Sequence, residues 1–257
     1  MTGLNVAYNY NPYQQIQFQV LNSWNGPSEE MYGDLERTKL PLVYTLNWNG
    51  NFLDVFKTRW SASVMNETKG EKMYYYALGN EFNFSPKWHA YFDWMYSREG
   101  VDRKGIITSI VGTDNQAHNA FNAEYMSYVL HVNYRFAPKW NLFAKGMYET
   151  ASVYKASDEV EKGKYRTAWG YAGGIEFYPM ESNLHFFLAY VGRSYKYTDR
   201  AKALGEDNFS TIVCQWDSFG RCLYSSSCFP FLFVMKNRQA TCCLPAIYHE
   251  MFFFYQS

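Results

Sequence analysis

The sequence predicts an all-β fold, an antiparallel up-and-down β-barrel that crosses a membrane. Two observations predict it. Apolar and polar residues alternate over runs of ten or more positions, and the connections between runs alternate between tight turns and long polar links. Composition fits: aromatics make up 20% of the 257 residues, with 24 Tyr, 20 Phe and 8 Trp, yet mean hydropathy is only -0.40. Apolar residues are therefore diluted by polar ones at close range, which suits strands with two unlike faces.

The two-residue period is clearest between Phe56 and Met65. One parity there reads Phe56, Thr58, Trp60, Ala62, Val64 and the other Lys57, Arg59, Ser61, Ser63, Met65. Gln15, Gln17 and Gln19 alternate in the same way with Ile16, Phe18 and Val20, and Ser127, His131, Asn133 and Arg135 with Tyr128, Leu130, Val132, Tyr134 and Phe136. Such runs exceed the five or six residues usual in a globular strand and match the length a tilted membrane strand needs. Strands are expected at about 4–11, 14–24, 41–50, 55–66, 72–84, 88–98, 124–136, 140–152, 165–178 and 184–197.

Each connection follows from its residues. Asn11-Pro12-Tyr13, Asn49-Gly50-Asn51-Phe52, Ser85-Pro86-Lys87, Ala137-Pro138-Lys139 and Pro179-Met180-Glu181-Ser182-Asn183 carry turn formers and read as tight turns. Long polar links lie between them at about 25–40, 67–71, 99–123, 153–164 and 198–208. Short turns on one side and long loops on the other are the pattern of an up-and-down membrane barrel. The turn segment FNFSPKWHAYF at Phe82 nearly repeats as YRFAPKWNLFA at Tyr134, with proline where no ladder donor is needed and aromatics at strand ends, the level of a membrane interface. The competing fold is a soluble β-sandwich or solenoid with an aromatic core. It requires no alternation of loop lengths, its strands seldom run this long, and it has no use for aromatics at both ends of an outward face.

The charge balance excludes other classes. With 24 basic and 24 acidic residues the formal charge is +0, against a general nucleic-acid binder. There is no run of 18 apolar residues that could form a spanning helix. The segment MTGLNVAYNYN has neither a basic stretch nor an apolar core, so this chain shows no secretory signal.

Several strings, LPLVYTLNWNGNF, DVFKTRWSASVM, YYYALGNEF, DRKGIIT, PKWNLFAKGMYETASVYK and YPMESNLHFFLAYVGRSYKYTDRAKALG, together resemble the outer-membrane porins of Bacteroidetes related to the phosphate-selective porin O and P family. The resemblance covers about residues 1–210. It implies a Gram-negative outer-membrane barrel of about sixteen strands, embedded in outer-membrane lipid, usually a homotrimer, and passing small hydrophilic or anionic solutes, phosphate among them, by passive diffusion. Ten strands are legible, so about five strands and a signal peptide are expected to precede Met1.

If the alternation holds, the pore is lined by Lys57, Arg59, Glu81, His89, Asp93, His131, Arg135, Lys145, Glu149, Arg166 and Glu176, with Gln15, Gln17 and Gln19 beside them. Phe56, Trp60, Phe92, Trp94, Tyr128, Leu130, Leu142 and Tyr148 then face lipid, where a charge at the midplane would cost about 2–4 kcal/mol. Between 184 and 197 Arg193 and Lys196 differ in parity, so no pore-lining residue is assigned there. A ladder of Lys and Arg is the device that would select phosphate. Here acids and bases are mixed, which favours a solvated wall of weak selectivity. The constriction loop is expected in one of the long links, with 99–123 a candidate.

Other chemistry is weakly signalled. His89, His118, His131, His185 and His249 lack zinc-ligand spacing. Gly170, Gly173 and Gly174 read as relief of crowding rather than a phosphate cradle, since no GxxxxGK[ST] occurs. No Ser-His-acid set stands out, so no catalytic residues, cofactor or metal are assigned. An enzymatic barrel and a plugged, structural or binding barrel remain the alternatives to a pore.

The chain changes character near residue 211. All five cysteines, Cys214, Cys222, Cys228, Cys242 and Cys243, fall beyond it, STIVCQWDSFGRCLYSS does not alternate, and FPFLFVM and EMFFFYQ match no barrel element. A disulfide is the functional reading of these cysteines, yet a barrel needs none. A lost base at the Ile212 codon gives a better account. Restoring it lets Thr211 onward read TNRVSVGFVWQMPV, an alternating strand with an aromatic ending similar to the family's closing strand. Residues 1–210 are therefore expected to be a porin segment and 211–257 a frameshifted tail without native structure, leaving a fragment that would not conduct. Resequencing the DNA across this point is expected to show one missing base; an intact frame in independent reads would refute the shift.

Overall fold

The computed structural model describes residues 3–21, 42–66, 72–112, 120–157, 160–179, 184–220, 231–236 and 239–240. Among the described residues the chain forms one antiparallel sheet of thirteen strands in which every strand pairs with its sequence neighbours. The first ten are β1 (Gly3–Asn11), β2 (Gln14–Leu21), β3 (Val43–Phe52), β4 (Phe56–Asn66), β5 (Lys72–Ser85), β6 (Trp88–Val101), β7 (Phe121–Ala137), β8 (Trp140–Val153), β9 (Gly163–Phe177) and β10 (Leu184–Tyr197). They coincide with the ten predicted strands to within about three residues. The order is that of an up-and-down barrel wall, in which each backbone donor and acceptor finds its partner on the adjacent strand. No helix among the described residues is long and apolar enough to cross a membrane.

The turn between β3 and β4 sits later than predicted. Strand β3 runs on to Phe52, and the chain reverses at Leu53 and Asp54, both at φ 56°. Side-chain bonding accounts for this. The Asn51 amide donates to Asp54 Oδ1 at 2.7 Å while the Asp54 N–H donates to Asn51 Oδ1 at 3.1 Å, a reciprocal brace that tolerates left-handed backbone.

The sheet also continues past residue 210. Strand β11 (Phe209–Gly220) pairs with β10 from Tyr195↔Phe209 to Leu184↔Gly220, and β12 (Phe231–Lys236) and β13 (Gln239–Ala240) follow. Pairing is a backbone property, so it does not need the strict alternation whose loss at STIVCQWDSFGRC marked the expected break. Cys214 stands opposite Tyr190 in this ladder. Cys222, Cys228, Cys242 and Cys243 lie outside the described residues, as do the links 25–40 and 67–71.

Two faces result. On one, a continuous cross-strand row runs Trp48, Trp60, Leu78, Trp94, Tyr128, Tyr148, Trp169. Its rings touch: Trp48 and Trp60 lie 4.8 Å apart edge to face, Tyr148 and Trp169 4.5 Å apart. Nearer the turns, Trp88 stacks on Tyr134 at 4.3 Å and Trp140 lies tilted against Phe177 at 4.4 Å, which puts the predicted aromatics at that rim. All eight residues expected on the lipid side fall on this face. Charged side chains occur on it at the loop end, where Arg98 stands opposite Glu124 and Lys196 opposite Thr167.

The other face carries the polar parity. Strand β9 contributes Ala168, Gly170, Ala172 and Gly174 to it, and neighbours on β8 fill the space: a Cβ on Gly174 would come within 2.8 Å of the Phe143 ring, and one on Gly170 within 3.1 Å of Met147 Cε. Gly170 and Gly174 relieve crowding, as their sequence implied, whereas Gly173, on the other face, would bring a Cβ no closer than 3.7 Å to Phe143 O, an ordinary contact. Leu130, half exposed at the middle of β7 on the apolar face, gives a direct test of the face assignment. Leu130→Arg is expected to destabilise the protein folded in lipid vesicles by about 2–4 kcal/mol in denaturant titrations, and Asn47→Arg on the polar face by less than half of that; equal penalties would contradict the two faces.

Candidate functional site

The candidate site is the polar face, and its charges are arranged by register. Successive rows cross the sheet as Asn51, Lys57, Glu81, Tyr91, His131, Lys145 and as Asn49, Arg59, Gly79, Asp93, Val129, Met147. His89 pairs with Asn83 and Asn133 one row toward the turns. Glu149 pairs with Ala168, and Arg166 with Ala151, toward the loops; Glu176 pairs with Asn141 near the turns. Ten of the eleven residues singled out in the sequence thus share this face. Arg135 is the exception, because it falls in the register break between Tyr134 and Ala137, exposed, with its N–H donating to Lys87 O at 2.8 Å. Arg193, left unassigned by parity alone, joins the face opposite Gly170, while Lys196 lies on the other.

Acids and bases on this face are mostly matched. Lys57 Nζ lies 3.5 Å from Glu81 Oε1, and the same oxygen accepts from Asn83 Nδ2 at 3.0 Å. Asn83 Oδ1 meets His89 Nδ1 at 2.6 Å. Arg166 Nη2 donates to Glu149 Oε1 at 2.9 Å, with both side chains under 15% exposed, and its guanidinium lies 4.8 Å from the Tyr195 ring centre. The Arg193 guanidinium covers the same ring at 5.0 Å. Glu176 accepts from Asn141 Nδ2 at 2.6 Å and from the Tyr178 hydroxyl at 3.1 Å. Asp93 and Lys145 are near enough for their charges to act on each other across β7. Arg59 is exposed and forms no ion pair among the described residues. At the β1 side an amide chain replaces charge: Gln17 donates to Gln15 at 2.7 Å, Gln15 to Asn9 at 2.8 Å, and Asn49 to Gln15 at 3.3 Å.

The link between β6 and β7 folds onto the loop end of this same face. Its helix α1 (Ile106–Val111) buries Ile107 and Ile110 against Tyr125, Ala151, Val153 and Tyr165. The apolar contacts are held by one carboxylate. Asp102, fully buried, accepts from the Gly105 N–H at 2.9 Å, the Thr108 N–H and hydroxyl at 2.8 Å each, and the Tyr125 hydroxyl at 2.5 Å. The segment is pinned at its base by the bond from Asp102 N–H to Ala120 O at 2.8 Å. Gly105 and Gly112, at φ 69° and 53°, supply the left-handed backbone at the two ends of α1. Residues 113–119 of this link, His118 included, lie outside the described ones. Asp102 was missed in the sequence, and the string DRKGIIT held its only signal: an acid three residues before a glycine that opens a short apolar helix.

Among the described residues no three His, Cys, Asp or Glu side chains converge as a metal would require. Asp102→Ala would leave several buried donors without an acceptor, at about 1–3 kcal/mol each. Proteolysis between Arg103 and Gly112 is therefore expected to quicken at least tenfold while cleavage elsewhere keeps its rate; unchanged cleavage would mean that Asp102 does not hold the link.

The family model described as phosphate-selective porin O and P matches residues 1–216. No curated protein matches the chain.

Proposed function

The chain belongs to the phosphate-selective porin O and P family, and from that premise we propose that the polar face lines a water-filled pore through the outer membrane, taking small hydrophilic and anionic solutes by passive diffusion. A porin is a channel rather than an enzyme. The observation that carries the reading is the separation of faces. Away from the loop ends the charged side chains of the ten strands lie on one side with most of the amides, and nearly all the exposed large apolar ones on the other. A soluble sheet would cover its apolar face, whereas a barrel wall leaves it to lipid.

Phosphate is the solute named by the family, and Lys57, Arg59, Lys145, Arg166 and Arg193 are the cations this wall offers it. Most of them sit beside carboxylates, so the wall presents little excess positive field and selects weakly. The link carrying α1 narrows the pore from its loop end, the role expected of a constriction segment, and Asp102 holds it there.

Reversal potentials in planar bilayers under a KCl gradient test the reading, measured on the protein with its reading frame restored near residue 211, since the chain with the shifted tail is expected not to conduct. The wild-type pore is expected to prefer chloride only slightly. Glu81→Gln removes the acid beside Lys57 and should move the potential toward chloride, while Lys57→Gln with Arg59→Gln should move it toward potassium. A strong anion preference abolished by the double replacement would overturn the weakly selective wall, and the absence of any current would overturn the pore.

A further inference from the structure

Large exposed apolar side chains on the described strands fall on the lipid side with two exceptions, Tyr91 near the turn end of β6 and Phe209 at the start of β11. Tyr91, 37% exposed, breaks the rule at the most polar part of the wall. Its register partners are Glu81 on β5 and His131 on β7. The His131 ring lies 5.8 Å from that of Tyr91 at an interplanar angle of 34°, and Phe143 meets His131 edge to face at 6.1 Å. Phe143 is held in place because it fills the space over Gly174, where a side chain would collide with it. Three rings from three strands thus form a rigid, water-facing run.

Cations bracket it. Glu81, Lys57 and Arg59 are all close enough to Tyr91 for their charges to act on its phenol, Glu81 the most strongly, and Lys145 stands directly opposite His131. Arg59 is exposed with no acid bonded to it among the described residues. The His131 Nε2 atom is buried and has no hydrogen-bond partner among the described residues. A wall built only to be wetted would not expose a phenol ring among its charges. A ring face beside basic side chains complements a solute that has both a flat apolar face and a negative charge.

We propose that Tyr91, His131 and Phe143, flanked by Lys57, Arg59 and Lys145, form a subsite in the pore wall for ring-bearing organic anions such as aryl carboxylates. The ring lies along Tyr91 and His131 and the carboxylate faces Arg59 and Lys57. The subsite rests on the reading of this face as a pore wall and deepens it by naming a solute class. Inorganic phosphate has the charge without the ring, so it meets only half of what the site offers.

Calorimetric titration of the folded full chain in detergent reads the site directly, with sodium benzoate, sodium acetate and benzyl alcohol as probes. Benzoate is expected to bind about three- to tenfold more tightly than acetate, the range aromatic packing supplies, and more tightly than uncharged benzyl alcohol. Tyr91→Phe should keep this preference and Tyr91→Ala should reduce benzoate to the level of acetate. Equal binding of benzoate and acetate, no binding of either, or an undiminished preference in Tyr91→Ala would overturn the subsite. Chloride current through the protein with its reading frame restored near residue 211, in planar bilayers, separates this result from the pore reading. Current with no benzoate preference removes the subsite and leaves the pore, whereas benzoate binding without current removes the pore and leaves a ring-binding face.

Discussion

The structure depends on one constraint: in a hydrocarbon medium no backbone N–H or C=O can go unpaired, and a sheet answers it by pairing each strand with its neighbours. That requirement fixes the order from β1 to β13 and leaves the side chains only one freedom, which of two faces they occupy. Alternation then becomes obligatory, since a one-residue slip would carry Lys57 and Arg59 into lipid and Trp60 into the pore. The uninterrupted row from Trp48 to Trp169 and the polar rows behind it are two results of the same pairing.

Charge on the polar face follows a second rule. Arg166 with Glu149 and Lys57 with Glu81 face each other across adjacent strands rather than standing as a one-sign ladder. Such pairs keep the wall hydrated and rigid at little cost in net field. They contribute little to stability where exposed, as at Lys57, and where both partners are nearly covered, as at Arg166, desolvation offsets much of the attraction, so that removing one partner costs more than the pair contributes. In the proposed pore, selectivity would then come from the few groups left outside the pairs. Arg59, exposed beside the Tyr91 ring, is the clearest of these.

The β6–β7 link shows how an apolar cluster forms on a face otherwise given to water. Ile107 and Ile110 bury themselves because small residues, Ala123 and Ala151, leave room beneath them, and because Asp102 takes up the donors that the turn into α1 would strand. Apolar burial and a buried carboxylate act together: the first drives the link onto the wall, the second fixes where it stops.

The strand sequence by itself determined the barrel class, ten strands and which residues share a face, because a period of two is a local property that each strand states independently. It also separated short turns from long links, since proline and asparagine act within a few residues. It did not locate the reversal at Leu53 and Asp54, which depends on side chains of Asn51 and Asp54 bonding each other, nor the side taken by Arg193, which parity left ambiguous and register to Gly170 resolved. The Asp102 anchor and the Tyr91, His131 and Phe143 run were invisible for a further reason. Their members come from different strands and meet only once a shared register brings them together, and register is set by pairing across the sheet rather than by the residues of any one strand.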